Sequence, residues 1–254
     1  MQRKNMWLAM SALVSLLWVH TEVVAQEQAC YQIGETIAPE VTVVNANGEQ
    51  QNLLELIDSE TKLIYLVIFG GPSLNPEHSE GGLWCEDSFN DLPISNFIAR
   101  KYGEKGVKVV PVVCPPVYHE RRFGYPVDAF MKTAQSENSF QKAFKSFVGA
   151  TAKLQNARII PFETVYFDPQ FRLMFNYSAM SDVNEYAGEM ADWLGKLKPC
   201  GDDQRYSTPT IWLLSPQGEV LHAPFYGNRF MTGRLKISFT IRDVDAAVAE
   251  LLAK

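Results

Sequence analysis

Three features of the chain predict an α/β fold on a mixed central sheet. Two apolar runs, Lys62–Phe69 (KLIYLVIF) and Val107–Val113 (VKVVPVV), read as strands buried on both faces. Segments of helical periodicity alternate with them, which calls for right-handed crossovers and a parallel core. Near the end, Ile211–Leu214, a Pro216-Gln217-Gly218 turn and Val220–Phe225 read as a hairpin, which adds antiparallel strands.

The elements follow in order. Val41 to Val44 reads as a strand, Asn45-Ala46-Asn47-Gly48 as a turn, and Leu53, Leu54 and Ile57 as a helical turn. After Lys62–Phe69 comes a loop from Gly70 to Leu83, rich in Gly, Pro, Ser and Asn. A helix is predicted from close to Cys85 to about Tyr102, with Phe89, Leu92, Phe97 and Ile98 inward and Gly103 and Gly106 as stops. Val107–Val113 ends at Cys114, followed by Pro115-Pro116. Residues 127–154 read as one or two helices, because Phe140, Ala143, Phe144, Phe147 and Val148 form one amphipathic stripe. Glu163–Phe167 reads as a strand closed by Asp168-Pro169. Residues 183–197 read as a helix opened by an Asp182/Glu185 capping box. A closing helix is expected with Asp243 as N-cap and Val244, Ala247, Val248, Leu251 and Leu252 buried.

The chain has 254 residues, 46% hydrophobic and 20% charged, which excludes a disordered or fibrous protein. A net charge of −6 argues against a broad electrostatic grip on nucleic acid or an anionic membrane. Residues 1–25 carry Arg3 and Lys4, an apolar stretch from Met6 to Val19, and Val23-Val24-Ala25 before Gln26. That is the pattern of a secretory signal peptide. The competing reading is a retained anchor, but the apolar run falls short of the roughly 20 residues a span needs. The domain expectation is therefore a signal peptide over 1–25 and a single domain over 26–254, periplasmic or secreted. Cleavage would leave 21 basic and 28 acidic residues. Four cysteines, an even number, would then sit in a compartment where disulfides persist.

Several motifs carry a resemblance. Trp84-Cys85 precedes a helix, Pro93 lies eight residues after Cys85, and Thr208-Pro209-Thr210 stands just before the strand Ile211–Leu214. Pro216-Gln217-Gly218-Glu219-Val220 follows, and Phe162 to Tyr177 has Asp-Pro in its middle. In this order they resemble the thioredoxin-like fold, on the branch of secreted thioredoxins and AhpC/TSA-type redoxins, over about 33–252. The resemblance implies a three-layer sandwich with a mixed sheet, a cis proline at 209 and an active-site thiol at Cys85. It also implies that Thr208 and Pro209 present backbone to a peptide. The departures are specific. The family's Cys-x-x-Cys is here Cys85-Glu86-Asp87-Ser88, the loop before Trp84 is long, and residues 178–206 look like an insertion before the proline loop. The peroxidase pattern Pro-x-x-x-Thr-x-x-Cys is missing.

These residues suggest a chemistry. A thiol attacks a disulfide as thiolate, and a helix N-terminus stabilises that anion. Ser88, one turn on, can donate to the sulfur, while Glu86 and Asp87 oppose the anion, so a Cys85 pKa above that of a reactive thioredoxin-type cysteine is expected. Trp84 is expected to shield the sulfur. With serine at position 88, a mixed disulfide needs another thiol to resolve it. Cys114 is the internal candidate, and its competing reading is a buried strand-end thiol. Cys30 and Cys200 form a candidate structural disulfide. For Cys85 itself, the competing reading is a small core residue in a redox-dead scaffold. His78, Cys85, Cys114 and His119 are residue types that bind metal, but the paired cysteines of Sco-type copper carriers are missing. No metal or other cofactor is expected. The expected activity is monothiol thiol–disulfide exchange through Cys85, Ser88 and Trp84, with a thiol- or disulfide-bearing protein or a small thiol as partner. A redox-inactive binding module and a peroxidase-type redoxin are the alternatives.

Overall fold

The computed structural model describes residues 31–39, 41–73, 79, 81–114, 137–167, 197, 208–227, 229–231 and 234–254. The expected leader at 1–25, the 178–206 insertion apart from Leu197, the 183–197 helix, Cys30, Cys200, His78 and His119 lie outside these residues.

The strands are β1 (Thr42–Val44), β2 (Gln50–Asn52), β3 (Leu63–Gly70), β4 (Val107–Cys114), β5 (Tyr166–Phe167), β6 (Thr210–Leu214), β7 (Phe225–Tyr226), β8 (Arg229–Met231) and β9 (Arg234–Lys236). The helices are α1 (Glu86–Tyr102), α2 (Glu137–Asn156) and α3 (Ile241–Leu252). Seven strands form one sheet in the order β2-β1-β5-β4-β3-β6-β7, and β8-β9 pair separately. β3 runs parallel to β4 and β4 to β5, while β6 is antiparallel to β3 and β7 to β6. This is the mixed α/β sheet that the alternation and the hairpin predicted.

β3 is central, and every one of its residues is buried. Its continuous apolar run follows from that position, because each face of a central strand meets a hydrophobic layer. Leu63, Tyr65, Val67 and Phe69 point into one layer with Leu92 and Ile98 of α1, Phe144 and Phe147 of α2, and Val244 and Val248 of α3. Ile64, Leu66 and Ile68 point into the other with Ile37, Val43, Leu53, Leu197 and Trp212. The three described α-helices thus lie on one face, and the 3-10 turn Leu53–Leu56 on the other. Aromatic edges lock α2 to the sheet: Phe144 and Phe147 meet Phe167 of β5 at centroid distances of 5.4 and 6.1 Å. Phe147→Ala is expected to cost roughly 3–5 kcal/mol, read as a lower urea midpoint.

Four local expectations are corrected. Phe97 faces outward at 36% exposure, with the Lys101 ammonium 5.3 Å from its ring centre. The inward face of α1 instead carries buried Ser88, Asp91 and Ser95 beside Leu92 and Ile98. Strand geometry at 163–167 is confined to Tyr166–Phe167. The hairpin's return is likewise broken: Val220 bridges Leu214, and ladder pairing resumes only at Phe225–Tyr226. Thr240, not Asp243, caps α3; Asp243 is the third helical residue and returns its carboxylate to the Thr240 N–H at 2.7 Å, completing a capping box.

Candidate functional site

The C-terminal ends of β3 and β4 meet the start of α1 and the segment before β6. Gly70 and Cys114 are register partners at those strand ends. Beyond them the chain returns as Leu83-Trp84-Cys85, with the Trp84 N–H bonded to the Gly71 carbonyl at 3.0 Å. Trp84 and Cys85 belong to the core layer opposite that of α1's apolar side chains, so the chain crosses the end of the sheet at Gly70. The crossing is tight. A Cβ on Gly70 would lie 2.5 Å from the Cys85 Cβ and 2.9 Å from Trp84 Cε2. Gly70 is therefore a site residue that spacing arguments missed, since its requirement is a close approach rather than a turn.

Cys85 is the N-cap of α1, as its place in the sequence implied. Its Sγ accepts the Ser88 backbone N–H at 3.4 Å, one of the orphan donors of the first turn. The Ser88 side chain does two things. Its oxygen accepts the Gly70 N–H at 2.9 Å, and it acts on the Cys85 thiol in favour of the anion. Thr208 closes the other side. The Cys85 S–H donates to the Thr208 carbonyl at 3.1 Å, and the Thr208 hydroxyl donates to Sγ at 3.1 Å. The Thr208–Pro209 peptide bond is cis, as the resemblance implied. The Pro209 carbonyl is taken by the Gly227 N–H at 2.7 Å.

The Cys85 pKa lies above the ordinary thiol value, and the leading cause is not the neighbouring carboxylates. Burial pushes the thiol up most, the bonds from Ser88 and Thr208 pull it back, and the Asp87 charge raises it by a smaller amount. The residue is 8% exposed. Trp84 is anchored: its indole N–H donates to the Cys114 carbonyl at 3.0 Å. Cys114 is fully buried, and neither it nor Cys85 forms a disulfide. Behind Ser88, the buried Tyr65 hydroxyl is bonded to Ser95 at 3.0 Å, and its desolvated phenol is held well above the usual tyrosine range. Among the described residues no cluster of His, Cys, Asp or Glu could hold a metal. A cleft of about 430 Å³ lies at the opposite ends of β3 and β4, lined by Asp58–Lys62 and Gly103–Lys108, away from Cys85.

No protein-family model and no curated protein matches the sequence. Solved structures are similar in chain path. A thioredoxin family thiol:disulfide interchange protein of Chlorobium tepidum is 13% identical, with 88% of this chain and 99% of that one covered and a TM-score of 0.44. A secreted disulfide oxidoreductase of Mycobacterium tuberculosis, homologous to Escherichia coli DsbE, is 11% identical over 82% of this chain and 94% of its own, with a TM-score of 0.39. The peroxidoxin BcpB of Mycobacterium tuberculosis is 13% identical over 87% and 94%, with a TM-score of 0.41. At such identities the likeness says nothing of activity.

Proposed function

We propose that the protein is a single-thiol disulfide-exchange protein whose reacting atom is the Cys85 sulfur. One observation carries the reading: the helix-capping sulfur and the residue before the cis proline are in direct contact, through two hydrogen bonds of 3.1 Å. A reactive thiol and a backbone segment able to hold an extended chain are thereby brought to one point.

The exchange runs as follows. The Cys85 thiolate attacks one sulfur of a client disulfide. The Cys85–client bond forms, the client S–S bond breaks, and the leaving client sulfur takes the electron pair and then a proton. A second thiolate, from the client or a small thiol, then attacks the client sulfur and returns the thiolate to Cys85. The second attack comes from outside the α1 turn because position 88 supplies a hydroxyl. Cys114 is fully buried, so its use as resolving thiol would require its surroundings to open. The leader-like segment at 1–25 supports action in an oxidising compartment, periplasmic or secreted. Among the described residues no helix is long and apolar enough to cross a membrane.

A second reading, a module with no redox turnover, is favoured by the 8% exposure of Cys85. Acid quenching and alkylation of cells producing the protein separates the two. Under the exchange reading wild type carries disulfide-linked clients, and Ser88→Cys, which adds a resolving thiol one turn from Cys85, carries several-fold fewer. Equal absence of clients from both proteins supports the module.

A further inference from the structure

Between Glu219 and Asp243 the chain carries Arg229, Arg234, Lys236 and Arg242 and no acidic residue, in a protein of net charge −6. Arg229, Arg234 and Lys236 fall in the β8–β9 ribbon, which pairs apart from the central sheet. Its register sets Arg229 opposite Lys236, Phe230 opposite Leu235 and Met231 opposite Arg234. Strand alternation therefore gives Arg229, Met231, Arg234 and Lys236 one face of the ribbon, and Phe230 with Leu235 the other. Like charges at directly opposed positions destabilise a strand pair, and a two-stranded ribbon is marginal by itself. An anionic group laid on that face relieves the repulsion and steadies the pair. The two acids that follow in the chain are already engaged. The Asp243 carboxylate accepts the Thr240 N–H and hydroxyl, each at 2.7 Å, and Asp245 is bonded to the Lys101 ammonium at 2.6 Å.

We infer that the β8–β9 ribbon is a docking face for an acidic polypeptide segment, and that it selects the clients of the Cys85 site. The ribbon starts beside that site. Gly227, just past β7, gives its N–H to the Pro209 carbonyl at 2.7 Å, and Arg229 follows two residues on, a reach of roughly 7 Å at most. At the other end the chain returns to the sheet, where buried Phe239 meets Phe225 of β7 at a centroid distance of 5.4 Å. Between ribbon and α3 lies apolar surface: Ile237 is 62% exposed, and Ile241 at the start of α3 is 40% exposed. Cations next to open apolar positions fit a partner chain better than a small anion, and an acidic segment with interspersed leucines complements both. The net negative charge of the whole protein repels a long polyanion, whereas a short acidic segment meets the ribbon alone. As a binding face the ribbon stands by itself; as a selector of clients it rests on the exchange reading.

The probe is a fluorescent, cysteine-free peptide of glutamates with interspersed leucines, titrated with the purified protein and read by anisotropy. A peptide with lysine at each glutamate and a single-stranded oligonucleotide of equal charge are the comparators. The acidic peptide is expected to bind, and to bind less well as salt rises. Combining Arg229→Gln, Arg234→Gln and Lys236→Gln should weaken it roughly tenfold, as three ion pairs of ordinary strength imply. Combining Lys62→Gln, Lys105→Gln and Lys108→Gln removes the same charge at the opposite ends of β3 and β4 and should leave binding as in wild type. Equal losses in the two triple variants would reflect net charge alone and overturn the ribbon. So would an acidic peptide that fails to bind, binding that salt leaves unchanged, or tighter binding of either comparator. Photo-cross-linking from the acidic peptide to wild type, mapped by mass, stands even where a variant fails to fold: labels within 229–241 support the ribbon, and labels confined elsewhere overturn it. Client selection is read separately, from the rates at which Cys85 forms mixed disulfides with disulfide-bearing versions of the two peptides. The acidic one should react faster, and the ribbon variant should lose that preference; equal rates in wild type overturn the selecting role. Binding with no adduct on Cys85 leaves the docking face standing and removes the exchange reading alone.

Discussion

Gly70→Ala is expected to be among the most damaging single changes in the protein, for stability and for the site together. The added methyl would stand 2.5 Å from the Cys85 Cβ and 2.9 Å from the Trp84 ring, closer than carbon atoms tolerate. Neither neighbour is the free end of a flexible chain. Cys85 is held by α1 and Thr208, and Trp84 by the Cys114 carbonyl. Relief therefore requires moving the start of α1 away from β3, which also strains the bond between the Gly70 N–H and Ser88. The cost should reach about 3 kcal/mol, at the upper end for overpacking. Urea unfolding reads the stability, and alkylation of the native protein reads the site: Cys85 should become more reactive as its seat loosens. A near-neutral midpoint with unchanged alkylation would show that the strand end yields easily.

Cys85→Ala is expected to abolish exchange. In refolding of a scrambled-disulfide protein with a small thiol present, the variant should give no acceleration over the reaction without protein. Activity surviving in the variant would place the chemistry elsewhere. The same substitution should change the pH dependence of stability in a defined direction. Burial raises the thiol's value in the folded state, so the folded protein binds this proton more tightly than the unfolded chain. That advantage is fully present below the unfolded thiol value and is lost as pH rises through the folded one. Wild type should thus lose stability with alkali across that window more steeply than Cys85→Ala, as measured by urea midpoints at successive pH values.

How much of this was legible depended on whether local chemistry or long-range contact did the placing. β3 announced itself because both of its faces are apolar, and Cys85 could be set at a helix start because Trp84 precedes it and helical periodicity follows. The inward face of α1 was less legible. Ser88, Asp91 and Ser95 share it with Leu92 and Ile98, so apolar periodicity alone pulled Phe97 inward. Only the partners reveal why polar groups are tolerated there: Tyr65 meets Ser95, and Gly70 meets Ser88. The Thr240 cap did leave a signal, Thr-x-x-Asp before an apolar stripe, which points to the threonine as cap. Thr208 was placed near a client from its proline alone. Its double contact with Cys85 spans 123 residues, and no local pattern encodes that. The importance of Gly70 was equally hidden, because it is set by a side chain fifteen positions away.

The central claim is that Cys85, among the four cysteines, is the sulfur that exchanges. Incubating the native protein with glutathione disulfide over a series of mildly alkaline pH values, then mapping adducts by mass, tests it directly. The predicted result is a glutathione adduct on Cys85 that forms faster as pH rises, with Cys114 unmodified. Modification of Cys114 in preference to Cys85, or a Cys85 that stays free at every pH at which the protein remains folded, would contradict the account.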